Sequence, residues 1–148
     1  MEGVPLKLLL AVLLLSLIVP ASFNALASWD QQNTRQQLIS ELQLLAADIR
    51  QVHLSGPGAV RYHELDAEDG MFTDIVAIEL GDFPGGEMCN VLKFELDDGR
   101  DTVLLLNEPY IPVTGGRSGL AFGPGEWLIR ISVTILGSEQ YVLLELVS

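Results

Sequence analysis

The sequence carries little with which to do chemistry. A single cysteine, Cys89, stands among 148 residues, so the chain cannot close a disulfide on itself. It sits between Met88 and Asn90 at the start of an apolar stretch, with no cationic neighbour in sequence to draw out a thiolate. We therefore expect a half-buried structural thiol there, not a nucleophile. The two histidines, His53 and His63, come without companions that would mark acid–base or metal work, and packing or surface roles are expected of them. No G-x-S-x-G, H-E-x-x-H or C-x-x-C occurs, and residues 115–119 (GGRSG) lack the Gly-Lys-Ser/Thr that cradles a phosphate. The acidic segments 66–69 and 97–101 miss the oxygen spacing of a calcium loop and read as turns. These absences predict no catalytic residue, no cofactor and no metal site. The chain also lacks an N-glycosylation sequon.

Positive charge is scarce. Eight Lys and Arg face 20 Asp and Glu, a net charge of −12. From residue 55 onward the count is 16 acids to five bases, and before it four to three. A surface of that sign opposes nucleic acid, whose phosphates need a basic footprint, and opposes docking on anionic headgroups. It keeps a protein soluble.

The third absence is of any charge between Lys7 and Asp30. Those 22 residues read LLLAVLLLSLIVPASFNALASW, against the roughly 20 needed to cross a bilayer. Most of the excess in the chain's 49% hydrophobic content over a soluble protein sits at this end, so the two parts of the chain have to be read apart. Three readings of the stretch compete. A cleaved secretory signal would end at Ala25-Leu26-Ala27, before Ser28, although Glu2 offsets Lys7 in its basic region. A plain signal anchor would hold an outer domain on the membrane. A helix that sits first in the membrane and then packs on copies of itself is the third.

The next segment bears on the choice. From Asp30 the chain runs DQQNTRQQLISELQLLAADIRQVHL, free of Gly and Pro and rich in helix formers. Leu38, Leu42, Leu45, Ile49 and Val52 recur at spacings of four, three, four and three, with Ile39, Ala46 and His53 widening the stripe. Ser55-Gly56-Pro57-Gly58 stops it. One helix is thus predicted from about residue 4 to residue 54, roughly 75 Å long at 1.5 Å per residue. Pro5 falls in its first turn, where proline is tolerated. Pro20, inside it, is expected to kink or locally melt the helix. A cleaved signal gives no reason for helical periodicity to resume at once, and a simple anchor tolerates a flexible linker there.

After Gly58 the period changes to two. Segments 59–66, 74–80, 90–96, 102–107, 126–136 and 139–147 read as six strands, with hairpin turns at 97–101 and at Gly137-Ser138 and a long irregular connection through residues 109–125. Strands with no intervening helix imply an antiparallel β-sandwich or a β-barrel-like domain. The predicted class is therefore α+β. Residues 1–29 form an apolar transmembrane or core helix, residues 30–54 its amphipathic continuation, and residues 55–148 an acidic β domain. The stripe of Leu38, Leu42, Leu45, Ile49 and Val52 is the expected cover for the sheet.

An apolar N-terminal helix, a proline near position 20, an amphipathic continuation and a β-rich C-terminal domain resemble type IV pilins, and most of all archaeal pilins and archaellum-type filament subunits. The architecture matches along the whole chain; sequence features carry the likeness only to about residue 54. Two features depart from the family pattern. Many bacterial pilins carry glutamate at the fifth mature residue, where Pro5 stands here; Glu2 is the nearest acid, available to a neighbour's amine or to Lys7. No basic leader ending in glycine is visible, so Met1 is expected as the first mature residue, or else cleavage after Gly3 of a very short leader.

The resemblance implies a structural subunit of an extracellular, cell-surface filament, inserted in the cytoplasmic membrane before assembly. Its expected partners are further copies of itself, the membrane, a prepilin peptidase and an assembly machinery. The polymerisation core would be Leu8, Leu9, Leu10, Val12, Leu13, Leu14, Leu15, Leu17, Ile18 and Val19, with Phe23, Leu26 and Trp29 beyond them. Two alternatives stand beside it: an exported monomeric binding module on a signal anchor or released by signal peptidase, and a minor pilin or pseudopilin that primes assembly.

Overall fold

A computed structural model describes residues 3–147. It is an α+β molecule: one helix, α1 (Gly3–Ser55), followed by eight strands. The helix is unbroken for 53 residues, about 80 Å at 1.5 Å per residue. Pro20 lies inside it without ending it, so the turn around this proline stays helical and is not melted. Gly56 ends the helix by taking φ = +81°, which lets its N–H reach back to the Val52 and His53 carbonyls at 3.2 and 3.3 Å.

The strands are β1 (Val60–Ala67), β2 (Ile75–Leu80), β3 (Val91–Leu96), β4 (Asp101–Leu105), β5 (Val113–Thr114), β6 (Leu120–Phe122), β7 (Gly125–Leu136) and β8 (Glu139–Leu146). They form two four-stranded sheets, ordered β1-β7-β8-β5 and β4-β3-β2-β6. The six expected strands correspond to β1–β4, β7 and β8. The segment expected to be irregular instead holds β5 and β6, and β5 runs parallel to β8, so the sheets are not wholly antiparallel. Strands of two and three residues are too short to display a period of two. They are recruited by close backbone approach: a Cβ on Gly81 would overlap the Val113 carbonyl, and one on Gly119 would overlap the carbonyl of Gly81. The β7–β8 hairpin turns at Gly137, whose φ of +67° at the first central position matches a type II′ turn with Ser138 second.

Both sheets and the helix share one core. Leu65, Ile129, Ile131, Val142 and Leu144 come from the first sheet, and Ile78, Leu80, Leu92, Phe94 and Leu96 from the second. Leu38, Leu42, Leu45, Ala46, Ile49 and Val52 enter from α1, all nearly fully buried. The helix touches β1 and β4, which are the outer strands of the two sheets on one side, as well as β3, β7 and β8.

Candidate functional site

The helix is buried only along its second half. Every residue from 3 to 26 is exposed, on all faces of the helix. Leu8, Leu9, Leu10, Val12, Leu13, Leu14, Leu15, Leu17, Ile18, Val19, Phe23, Leu26 and Trp29 are between 46% and 71% exposed. The stretch is long and apolar enough to cross a membrane, and none of that apolar window is buried. A β domain folded around α1 thus projects about 25 residues of bare apolar helix. Ser16, the polar residue in the middle of it, donates its hydroxyl to the Leu13 carbonyl at 2.7 Å and so presents no unpaired donor. Glu2, singled out in the sequence as the nearest acid, lies outside the described residues.

Burying one such side chain fully is worth on the order of 1.5–3 kcal/mol. A surface built of thirteen of them is untenable in water.

Polar contacts fix the junction between the bare half and the domain. Asp30, the first charged residue after the apolar stretch, is buried beside Thr34. Its two carboxylate oxygens accept the backbone N–H groups of Met71 and Phe72 at 3.0 and 2.8 Å. Those amides, Phe72 first and then Met71, with help from Thr73, hold the Asp30 carboxyl below its ordinary value. Gly70 sits directly on the pair: a Cβ there would overlap Thr34 Oγ1 and Asp30 Oδ2. Phe72 meets Phe23 edge-on, ring centroids 6.3 Å apart. The β1–β2 loop is therefore clamped onto the helix at the point where the helix leaves the domain.

Further along, Arg35 pairs with Asp98 in the β3–β4 turn at 2.7 Å. The Asp98 carboxyl is held below its usual range, chiefly by the Arg100 amide and then by Arg35. Asp48 binds both His63 Nδ1, at 2.7 Å, and Arg61 Nε, at 3.0 Å, tying the helix to β1. His63, expected in a packing or surface role, is buried, and Asp48 is a partner that its sequence neighbours did not disclose. Cys89, expected half-buried, is fully buried, with its thiol turned to the Phe83 carbonyl at 3.1 Å. It is covered because β3 begins beside it and Val113 N–H bonds its carbonyl at 2.8 Å.

The sequence signal for the Asp30 clamp was present. Asp30, Thr34, Leu38 and Leu42 succeed one another every four residues, so the buried stripe extends two turns into polar residues at its N-terminal end. Among the described residues, Asp66, Glu68 and Glu126 bring three carboxylates within 4.8 Å of one another. Asp66 belongs to β1, not to a turn, and lies opposite Glu126 on β7. The group is exposed apart from Asp66; Asp66 and Glu126 line a cleft of about 530 Å³ whose lining holds no basic side chain. The chain matches no protein-family model, no curated protein and no solved structure.

Proposed function

We propose that the chain is a structural subunit of an extracellular filament of the type IV pilus kind, most like archaeal pilins, and that it assembles through the bare half of α1. One observation carries the reading: a single uninterrupted helix is exposed over residues 3–26, touched there by the Phe72 ring at Phe23, and welded into a β domain over its remainder. A membrane hosts the uncovered half before assembly, and copies of the same half cover it afterwards. The rigid weld then presents the acidic domain on the outside, where its charge keeps filaments dispersed. No catalytic step and no cofactor belongs to this role. The partners are other copies, the membrane and, by the resemblance, a peptidase and an assembly machinery.

The cleaved-signal alternative is disfavoured by Phe23. Cutting before Ser28 would strip the Phe72 ring of the aromatic partner it packs against. The test is electron microscopy of sheared cell-surface material from cells making Leu13→Asp in place of the native chain. A carboxylate at the centre of an apolar helix costs about 2.5–3.5 kcal/mol. Filaments are expected with the native chain and absent with Leu13→Asp, while abundant filaments of the variant would overturn the core assignment.

A further inference from the structure

We propose that the tip of the β1–β2 loop, Met71 and Phe72, is a lipid-inserting wedge that seats the β domain against the outer face of the bilayer while α1 spans it. The proposal rests on the part of the functional reading that puts the helix in a membrane, and not on polymerisation.

The depth of the loop is fixed by its contacts. The Phe72 ring packs on Phe23, which lies within the uncharged stretch. Phe23 is six residues before Trp29, a displacement of about 9 Å along the helix. Trp29, exposed at the end of the apolar run and succeeded by Asp30, is the residue type that settles at headgroup level. A ring in contact with Phe23 therefore reaches past that level toward the acyl chains. Met71 beside it is 82% exposed and Phe72 45% exposed, so the tip has apolar surface with no cover from its own chain.

The chemistry of the tip suits an apolar medium. Residues 70–73 (Gly-Met-Phe-Thr) carry no charge. Their backbone donors are turned inward: Gly70 N–H bonds the Thr73 carbonyl at 2.8 Å, and Met71 and Phe72 N–H bond Asp30. Of the carboxylates around the tip, Asp30 is occupied by those amides, Asp69 by the Ile75 N–H at 2.7 Å and Asp98, which shares a cleft with Phe72, by Arg35, while Asp74 stays exposed at the base of the loop. Burial in lipid thus strands none of those donors. The occupant is lipid, not an acidic or basic partner, because the patch is continuous with the bare helix and shares its lack of charge. With a domain of this acidity electrostatics does not help the contact, so the contact is apolar.

The experiment uses the full chain reconstituted in phosphatidylcholine vesicles, with a nitroxide placed on Met71→Cys. Cys89 is buried, so the new thiol is labelled in the folded protein with the native cysteine left in place. Leu13→Cys and Ile135→Cys provide the references, the first within the apolar helix and the second on an exposed strand position of the domain. The reading is the ratio of collisions with oxygen to collisions with a water-soluble nickel chelate. Labels at 13 and 71 are both expected to show ratios several-fold above that at 135. A high ratio at 13 with a ratio at 71 equal to that at 135 overturns the wedge and leaves the membrane reading standing. A low ratio at 13 overturns both.

Discussion

The Asp30 carboxylate, on the helix, accepts the backbone N–H of Phe72, 42 residues further along the chain, at 2.8 Å. This bond, with its companion to Met71, marks where α1 stops being part of the domain and becomes bare. It also converts the first charge after the apolar stretch from a liability into a fastener, since a buried carboxylate is tolerable only when donors surround it.

Because the amides favour the ionised form, the Asp30 carboxyl is depressed in the folded chain relative to its ordinary 3.8. Its contribution to stability is then fully present above that value and is lost as pH falls below it toward the folded value. Asp30→Asn should lower the melting temperature at pH 7. The gap between native and variant should close as the pH is taken from 5 down through the acid range, as monitored by circular dichroism. A gap independent of pH would show that the charge plays no part.

Gly70→Ala tests the same contact by steric means. The added methyl would overlap Thr34 Oγ1 and Asp30 Oδ2, so the loop must back away from the helix. Loss of stability of about 1–3 kcal/mol is expected, the usual range for overpacking a fitted site. Urea denaturation measures it. A neutral Gly70→Ala would mean that the loop is not held as close as the structure has it.

Ile49 is fully buried at the centre of the helix stripe. Ile49→Ala should cost about 2–5 kcal/mol, while alanine at Leu44, which is exposed on the same helix, should change stability by less than about 0.5 kcal/mol. Equal effects in chemical denaturation would contradict a helix packed into the domain by one face.

Asp48→Ala removes the acceptor shared by His63 and Arg61. His63 Nε2 already lacks a hydrogen-bond partner, so the variant leaves a buried ring with neither nitrogen satisfied. About 1–3 kcal/mol is expected, the cost of stranding a buried polar group. Arg61→Ala should cost less, because that side chain is half-exposed. Thermal melts of the two variants give the comparison.

The physics of each contact decided whether it was legible in the sequence. The helix was, because 3.6-residue periodicity repeats over five buried positions from Leu38 to Val52 and Gly56 ends it. The hairpins at Gly99 and Gly137 were, because left-handed turns need glycine. The short strands β5 and β6 were not, since residues 113–114 and 120–122 owe their pairing to distant backbone at Val142 and Ile78, which local pattern cannot announce. The buried stripe extends to Asp30 and Thr34 in the sequence, but the Asp30 partners in the β1–β2 loop and the Asp48–His63 pair are not legible for the same reason: each joins residues whose closeness exists only after the sheets have formed. The apolar stretch was the plainest feature in the sequence, and its exposure gives that feature a physical consequence.

Whether residues 8–29 are the assembling part of the mature subunit can be read from the intact mass and N-terminal peptide of the protein released from sheared surface filaments. A filament subunit whose mass includes Leu13, Phe23 and Trp29 is expected. A mature chain beginning at Ser28, or filaments from which this chain is missing, would contradict assembly through the bare helix.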